Sequence, residues 1–181
     1  MDERQLWDNL RAGDKSALEA CFRAYYAVLV QYASLMHGLP SSAEDLVQDL
    51  FLKLWNKRHK LPAEVSSVKP YLLRSLRNLA IDEMRKKRRG LPLIEMPFSL
   101  WGDSEQPAFG NEEESLQGQQ LARALSKLSD TEREILHLRF FQQTPYPEIA
   151  TVMGMQYQSV RNAAHRAIQK LRQNMEDTKK K

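Results

Sequence analysis

The residues best suited to chemistry in this chain of 181 residues lie in its last third, on either side of Gly154. Ile149 and Met153 have helical spacing before the glycine, and a second helical pattern that contains Val160 follows it. Glycine commonly ends a helix because it adopts left-handed backbone without strain. Two helices joined in this way form a helix-turn-helix, which places its second helix in a DNA groove. An ordinary solvated pair of helices has the same short pattern, so the rest of the chain must decide between the two interpretations.

The second of these predicted helices is rich in hydrogen-bonding and cationic side chains. Amides and hydroxyls recognise base edges, and guanidinium groups bind both bases and phosphates. The candidate DNA-reading residues are Gln156, Tyr157, Gln158, Ser159, Arg161, Asn162, His165 and Arg166. His165 has two alternative roles, since a neutral imidazole either donates one hydrogen bond to DNA or packs against the turn.

A second polar and cationic stripe is predicted on a helix that begins near Pro70. Asn78, Asp82 and Arg85 are spaced i, i+4 and i+7, so they share one face. Cations beside such a face hold a nucleic-acid backbone, while the stripe hydrogen-bonds a base turned out of the stack. The candidate residues for binding a displaced single strand are Lys60, Lys69, Arg74, Arg77, Asn78, Asp82 and Arg85. Asp82 has the alternative of pairing with Arg85 or Arg77.

Helix signals run through the chain and predict how these residues are positioned. Capping boxes, in which a serine precedes a glutamate by three residues, predict helix starts at Ser16, Ser41 and Ser129. The first of these helices is predicted to extend to Gly38, and Pro70 to lie in a first helical turn. The predicted apolar faces are Leu46, Val47, Leu50, Phe51 and Leu54, then Leu72 or Leu73, Leu76, Leu79 or Ala80, and Met84, and finally Leu121, Leu125, Leu128, Ile135, Leu136 and Phe140.

These patterns predict an all-α protein with two small helical domains, at residues 1–89 and 119–181. The segment between them, residues 90–118, has no sustained period and contains Pro92, Pro97 and Pro107. It carries six acidic residues and no basic one. Such a composition predicts an acidic linker that runs along a surface of this protein or of a partner.

The formal net charge of +4 conceals two basic segments that flank the linker. Residues 53–89 contain 12 basic and 3 acidic residues, and residues 119–181 contain 11 basic and 6 acidic ones. Basic surfaces attract polyanions, because binding to phosphates releases condensed counterions. The charge pattern therefore favours nucleic acid as a partner.

Other classes of protein are disfavoured by what the sequence lacks. Cys21 is the only cysteine, so an intrachain disulfide is impossible, and its apolar neighbours predict a buried thiol. No leader and no apolar run of about 20 residues is found, so a cytoplasmic location without membrane insertion is expected. Glu44, Asp45 and Asp49 lack a second acidic segment that would complete a metal site. We expect no enzyme activity, no metal, no cofactor and no small-molecule substrate.

Three sequence blocks carry a family resemblance, namely AEDLVQDLFLKLW at 43–55, PYLLRSLRNLAIDEMRKKRR at 70–89 and LSDTEREILHLRFFQQTPYPEIATVMGMQYQSVRNAAHRAIQKLR at 128–172. In this order, with an acidic linker before the third, they resemble the extracytoplasmic-function group of sigma-70-type bacterial transcription initiation factors. The resemblance implies a two-domain factor that binds core RNA polymerase. It implies recognition of the minus-35 promoter element by the C-terminal domain and melting of the minus-10 element by the N-terminal one. It also implies an anti-sigma factor as a further partner.

The block at 43–55 resembles the family's polymerase-docking surface. The residues that match it are Asp45, Gln48, Asp49, Leu52, Lys53 and Trp55. Carboxylates beside an aromatic side chain suit a partner of opposite charge, with Trp55 as the main contact. The alternative is that the carboxylates only solvate the outer face and that Trp55 fills the core.

Three departures from the family pattern lie in the helix-turn-helix. Pro145 and Pro147 flank Tyr146 where a serine-type cap and an acidic residue are common, Gln156 replaces a serine cap, and Ala163 stands where a basic residue is frequent. Proline is tolerated in a first helical turn, so we expect the fold to survive. The missing basic residue leaves the promoter preference open.

The alternative function is a two-domain helix-turn-helix transcriptional regulator that does not act as a sigma factor. Such a regulator would use the C-terminal reader but would not need the blocks at 43–55 and 70–89 together. Transcription from a supercoiled template by core polymerase separates the two functions.

Overall fold

The computed structural model describes residues 2–36, 41–88 and 116–179, and within these ranges the regular structure is helical, without a strand. The chain divides into two compact units, residues 1–96 and 97–181. The predicted all-α fold with two small helical domains is confirmed. The predicted acidic linker lies outside the described residues, apart from its last three positions.

The N-terminal unit contains four helices and one short turn of 3₁₀-helix. They are α1 (Glu3–Ala12), α2 (Lys15–Ala33), α3 (Ala43–Asn56), the 3₁₀ turn (Arg58–Lys60) and α4 (Val68–Arg88). Helix α1 is not among the predicted elements. It ends at Gly13, whose φ of 90° is left-handed backbone. Its apolar face, Leu6, Trp7 and Leu10, is buried, so tertiary packing stabilises a helix of only 10 residues.

The core of the N-terminal unit is built from the predicted faces of α3 and α4, packed on α2. In α4 both members of each predicted alternative are buried, Leu72 with Leu73 and Leu79 with Ala80. Cys21 is fully buried as expected, and burial, aided by the charge of Glu3, raises the pKa of its thiol to about 12. The thiol is therefore protonated and unreactive at neutral pH.

Two of the three predicted capping boxes are placed one or two residues wrongly. Helix α2 starts after Asp14, whose carboxylate accepts a hydrogen bond from the Ser16 amide at 2.8 Å. Helix α3 is capped by Ser42, which accepts from the Asp45 amide, while the Ser41 hydroxyl donates to Glu83. In both cases another capping side chain, one or two residues away, fixes the start of the helix instead. Helix α2 also ends earlier than predicted, at Ala33, and Gly38 lies outside the described residues.

The C-terminal unit contains α5 (Leu116–Ser126), α6 (Asp130–Leu136), a π-helical turn (His137–Phe141), α7 (Tyr146–Met153) and α8 (Tyr157–Lys179). Helix α5 begins inside the segment predicted as linker and includes Gly118, although glycine within a helix costs about 1 kcal/mol relative to alanine. The capping box of Ser129 and Glu132 is confirmed. Gly154 ends α7 with a φ of 63°, as the helix-turn-helix pattern predicts.

Candidate nucleic-acid and partner interfaces

The first half of α8 separates buried from exposed side chains sharply. Its buried face consists of Val160, Ala163, Ala164 and Ala167, and Ala167 packs against Leu128 and Leu136. All the predicted DNA-reading residues, Gln156, Tyr157, Gln158, Ser159, Arg161, Asn162, His165 and Arg166, are exposed. Alanine allows α8 to lie close to α6, so the reading face is supported by a rigid core.

Two contacts order side chains on the reading face. The Gln158 amide donates a hydrogen bond to the Asn162 carbonyl oxygen at 3.1 Å, one helical turn away. The Arg161 guanidinium lies 5.7 Å from the ring centre of Tyr157, a cation–π contact. These side chains remain exposed, so their remaining hydrogen-bonding groups are available to a ligand.

The departures at the start of α7 fit the fold. Pro145 occupies the N-cap position and Pro147 lies within the first helical turn. Amides there have no partner within the helix, so prolines, which lack them, cost little.

The interpretation of Ala163 as a lost DNA contact requires a correction, because Ala163 is only 4% exposed and packs inside the unit. A basic residue at this position would lie beneath the reading face, and alanine therefore removes no outward DNA contact.

Two buried polar residues contact each other across the π-helical turn. His137 is buried, and its Nε2 lies 3.4 Å from the Gln142 amide nitrogen. Burial lowers the pKa of His137 to about 4, so the ring is neutral at physiological pH. Phe140 and Phe141, at 59% and 49% exposure, lie on the surface, although Phe140 belongs to the predicted apolar face.

The predicted single-strand surface lies on the exposed side of α4 and on the loop that precedes it, residues 57–67. Arg74, Asn78, Asp82 and Arg85 are exposed on α4, and Lys60 is exposed in the preceding loop. Lys69 and Arg77 are half-buried. The alternative role of Asp82 is also present, since its carboxylate lies 3.7 Å from the Arg85 guanidinium. Both side chains stay more than 60% exposed, so this ion pair is weak and leaves them accessible.

The loop before α4, residues 57–67, is held by α1. The Trp7 indole N–H donates a hydrogen bond to the Pro62 carbonyl at 2.9 Å, and the Arg11 guanidinium donates to the Ala63 carbonyl at 3.4 Å. Sequence reasoning missed α1 and these contacts. The signal available was the spacing of Leu6, Trp7 and Leu10 before Gly13, which is a short helical stripe with a glycine stop.

The predicted docking surface lies on the exposed side of α3. Asp45, Gln48, Asp49 and Lys53 are exposed, and Leu52 is exposed at 60%. Trp55 is half-buried, with the Arg58 guanidinium 4.6 Å from its ring centre. Trp55 is therefore neither among the fully buried core residues nor fully exposed, and its role in docking or in packing stays a prediction.

Metal clusters and membrane-spanning helices are both absent from the described part of the chain. No three His, Cys, Asp or Glu side chains between residues 2 and 36, 41 and 88, or 116 and 179 converge to hold a metal ion. Among the helices in the same ranges, none combines the length and the apolar character needed to cross a membrane.

Comparison with known proteins assigns both units. Residues 21–90 match the family model of sigma-70 region 2, and residues 118–171 match that of sigma-70 region 4. The chain is 26% identical over 163 residues to the ECF RNA polymerase sigma factor RpoE of Cereibacter sphaeroides, covering 90% of this chain and 88% of the relative. It is 30% identical over 132 residues to the ECF RNA polymerase sigma factor SigM of Bacillus subtilis, covering 72% of this chain and 77% of the relative.

A solved structure shares the fold. The sigma factor RpoE of Bartonella quintana, in complex with the anti-sigma factor NepR, superimposes with a TM-score of 0.62 and 24% identity. The match covers 87% of this chain and 96% of that one.

Proposed function

The chain belongs to the sigma-70 family of RNA polymerase sigma factors, in its extracytoplasmic-function group, and from this premise we propose a division of labour among its surfaces. The start of α8 reads the minus-35 element, α4 with the loop at residues 57–67 holds the opened minus-10 strand, and α3 docks on core polymerase. The main support for this proposal is that every candidate DNA-reading residue on α8 is exposed, while the valine and alanines on the other face of the helix are buried. The protein works by binding, without a reaction of its own.

Reading of the minus-35 element is supported by the chemistry of the α8 face. Gln158 and Asn162 present amide groups that pair with base edges in the major groove. Arg161 and Arg166 supply cations, which hold the phosphate backbone and make binding salt-dependent. Together they provide both sequence readout and register on the duplex.

Opening of the minus-10 element is supported by the α4 surface. Arg74 and Arg85 provide exposed charge along the helix, with Asn78 between them. The exposed Lys60 brings another cation from the loop. This combination suits a single strand, because cations follow its backbone while an amide hydrogen-bonds an unstacked base.

Docking on polymerase is supported by the composition of the α3 face. Asp45 and Asp49 place negative charge beside the exposed Leu52 and the accessible part of Trp55. An apolar contact within a charged rim is the usual arrangement of a protein interface. Truncating such contacts typically weakens binding by a few kcal/mol, about 2 or more for the strongest residues.

Transcription by purified core polymerase tests this division. Core enzyme, a supercoiled promoter library and the wild-type chain are expected to give transcripts from defined starts, and the double variant Asp49→Ala/Trp55→Ala to give few. Glu44→Ala is the control, because Glu44 is an exposed acid on α3 outside the docking set. Circular dichroism checks that each variant is folded. Duplex binding without any core-dependent transcript would instead identify a helix-turn-helix regulator.

A restraining partner and a cytoplasmic location are part of the proposal. The Bartonella quintana relative was solved with an anti-sigma factor, and the same class of partner is proposed here. A factor that binds core polymerase and promoter DNA is expected to act in the cytoplasm. Co-purification of the tagged chain from cells under non-inducing conditions, followed by mass spectrometry, tests for the partner.

A further inference from the structure

Helix α1 lies ahead of the segment that matches the sigma-70 region 2 model, which begins at residue 21. It contacts the loop at residues 57–67, far along the chain. We propose that α1 is a positioning clamp, which holds this loop in the shape that receives an unstacked minus-10 base. The clamp thereby sets promoter opening rather than polymerase docking. This inference rests on the proposed role of the loop.

The centre of the clamp is formed by hydrogen bonds to the loop backbone. Trp7 is 2% exposed, its ring packs edge-on against Tyr71 of α4 at 4.9 Å, and its N–H points at the Pro62 carbonyl. Arg11, one turn further along α1, donates to the next carbonyl, that of Ala63. A buried ring and a second donor therefore fix two successive loop residues whose own side chains are exposed.

The two ends of α1 contact the two ends of the loop. At the N-terminus of α1, which meets the end of the loop, the Glu3 carboxylate accepts a hydrogen bond from the amide of Val68, the first residue of α4, at 3.4 Å. The same carboxylate accepts from the Tyr25 hydroxyl at 2.7 Å, which ties it to α2. At the C-terminus of α1, which meets the start of the loop, Gly13 packs on Arg58, and a Cβ added to Gly13 would lie 3.2 Å from the Arg58 Nε. The helix thus spans the loop from its beginning to its end.

Several side chains of this loop remain accessible. Lys57, His59 and Lys60 are exposed, whereas Leu61 is 9% exposed and packs inward. A loop with fixed carbonyls and accessible cations is ordered before the strand arrives, so the ligand does not bear the ordering entropy. Releasing the loop is expected to weaken strand capture without changing any residue that contacts the strand.

The test uses the full chain with Trp7→Phe/Arg11→Met, which removes both donors but keeps the aromatic ring and the aliphatic stem. Arg23→Met is the matched control, because Arg23 forms an exposed pair with Glu19 on α2 at 2.6 Å. Lys60→Ala and Asn78→Ala are reference variants for the proposed function itself. Core binding, closed-complex formation and permanganate reactivity of unpaired thymines are measured for each.

The clamp variant is expected to bind core and form closed complexes within about twofold of wild type, since α3 and α8 are untouched. Its opening constant is expected to fall about 5- to 30-fold, the loss expected for one or two hydrogen bonds. Trypsin cleavage after Lys57, Arg58 and Lys60 is expected to accelerate, while cleavage elsewhere in the N-terminal unit does not. A merely structural role would instead lower core binding and opening together, through loss of folded protein.

The outcomes separate the two claims. If Lys60→Ala and Asn78→Ala slow opening but the clamp variant opens and resists trypsin like wild type, the clamp is overturned and the proposed function stands. If none of these variants slows opening, the proposed role of the loop fails, and the clamp fails with it. A parallel fall in core binding and opening in the clamp variant also overturns the inference.

Discussion

The two candidate DNA surfaces of this protein are built on opposite principles. The reading face belongs to one helix, and the period of α8 alone places its polar residues opposite Val160, Ala163, Ala164 and Ala167. The predicted single-strand surface combines α4 with a loop whose backbone is held by α1, through hydrogen bonds from Trp7 to Pro62 and from Arg11 to Ala63. A surface on one helix keeps its shape as long as the helix is packed. A composite surface also depends on contacts between residues more than 50 positions apart.

Acidification is expected to lower the stability of the C-terminal unit through His137, and this is the largest of the expected effects. The pKa of His137 falls from 6.5 to about 4 on folding because the ring is buried. The unfolded chain therefore binds a proton between these values that the folded unit excludes, so stability is full above pH 6.5 and falls as the pH drops towards 4. At about 1.4 kcal/mol per pH unit, the loss reaches about 3 kcal/mol.

Urea unfolding of the full chain at pH 7.5, 6 and 5 measures this effect, with resonances of α6–α8 and of α1–α4 followed separately by NMR. His137→Gln is expected to flatten the slope in the C-terminal unit, because glutamine does not titrate. Burial opposes ionisation of Glu132, but hydrogen bonds from Lys170 and Ser129 outweigh it and lower the pKa of this carboxyl. Its contribution to stability is therefore lost only below pH 4.5, outside the range measured. Equal slopes in both proteins would contradict the assignment to His137.

Base recognition by α8 is expected to be local, because each outward side chain of one helix meets its own base pair. Gln158→Ala or Asn162→Ala removes one amide of a hydrogen-bonded pair. Each is expected to change the binding free energy by about 1–3 kcal/mol at one base-pair position of the minus-35 element and little elsewhere. Binding to a set of singly substituted duplexes measures this. Gln173→Ala, at an exposed position later on α8, is the control, and a uniform loss across all sequences would assign the pair to phosphate contact.

The smallest effect is expected for the stability of α4 when its exposed ion pair is removed. Asp82→Asn is expected to change the free energy of unfolding by less than about 1 kcal/mol, because the pair with Arg85 is solvated. Promoter opening is nevertheless expected to slow if Asp82 contacts the strand. Glu19→Gln removes a similarly exposed pair from α2 and serves as the control. Equal opening by both variants would leave Asp82 with ion pairing alone.

The same contrast explains what the sequence could predict. The α8 face was predictable, since Val160 at helical spacing after Gly154 decides which side chains point outward. The predicted faces of α3 and α4 were confirmed because their apolar residues recur at helical intervals. Their site roles remain predictions. Ala163 was misjudged because a small residue carries no sign of burial in the pattern, and only packing of α8 in the unit decides it.

Other features depended on competition or distance. Ser16 and Ser41 satisfied the capping pattern, but Asp14 and Ser42 cap the helices, since several residues with capping side chains lie within two positions of each start. The hold of α1 on the loop could not be predicted, because no local pattern links Trp7 to a carbonyl 55 residues away. Periodicity specifies which face of a helix is buried, but not which distant backbone it meets.

The alanine-rich underside of α8 has a consequence for how promoter preference changes over time. Val160 and three alanines form the buried face of α8. The side chains of the reading face are exposed and take no part in this core. Exchanges at the outward positions therefore leave the packing of α6 and α7 unchanged, and surface substitutions of this kind usually alter stability by no more than about 0.5 kcal/mol. If this face reads the minus-35 element as proposed, duplicated copies of such a gene can diverge in the promoters they recognise while the same scaffold continues to fold, so new regulons become accessible by point mutation.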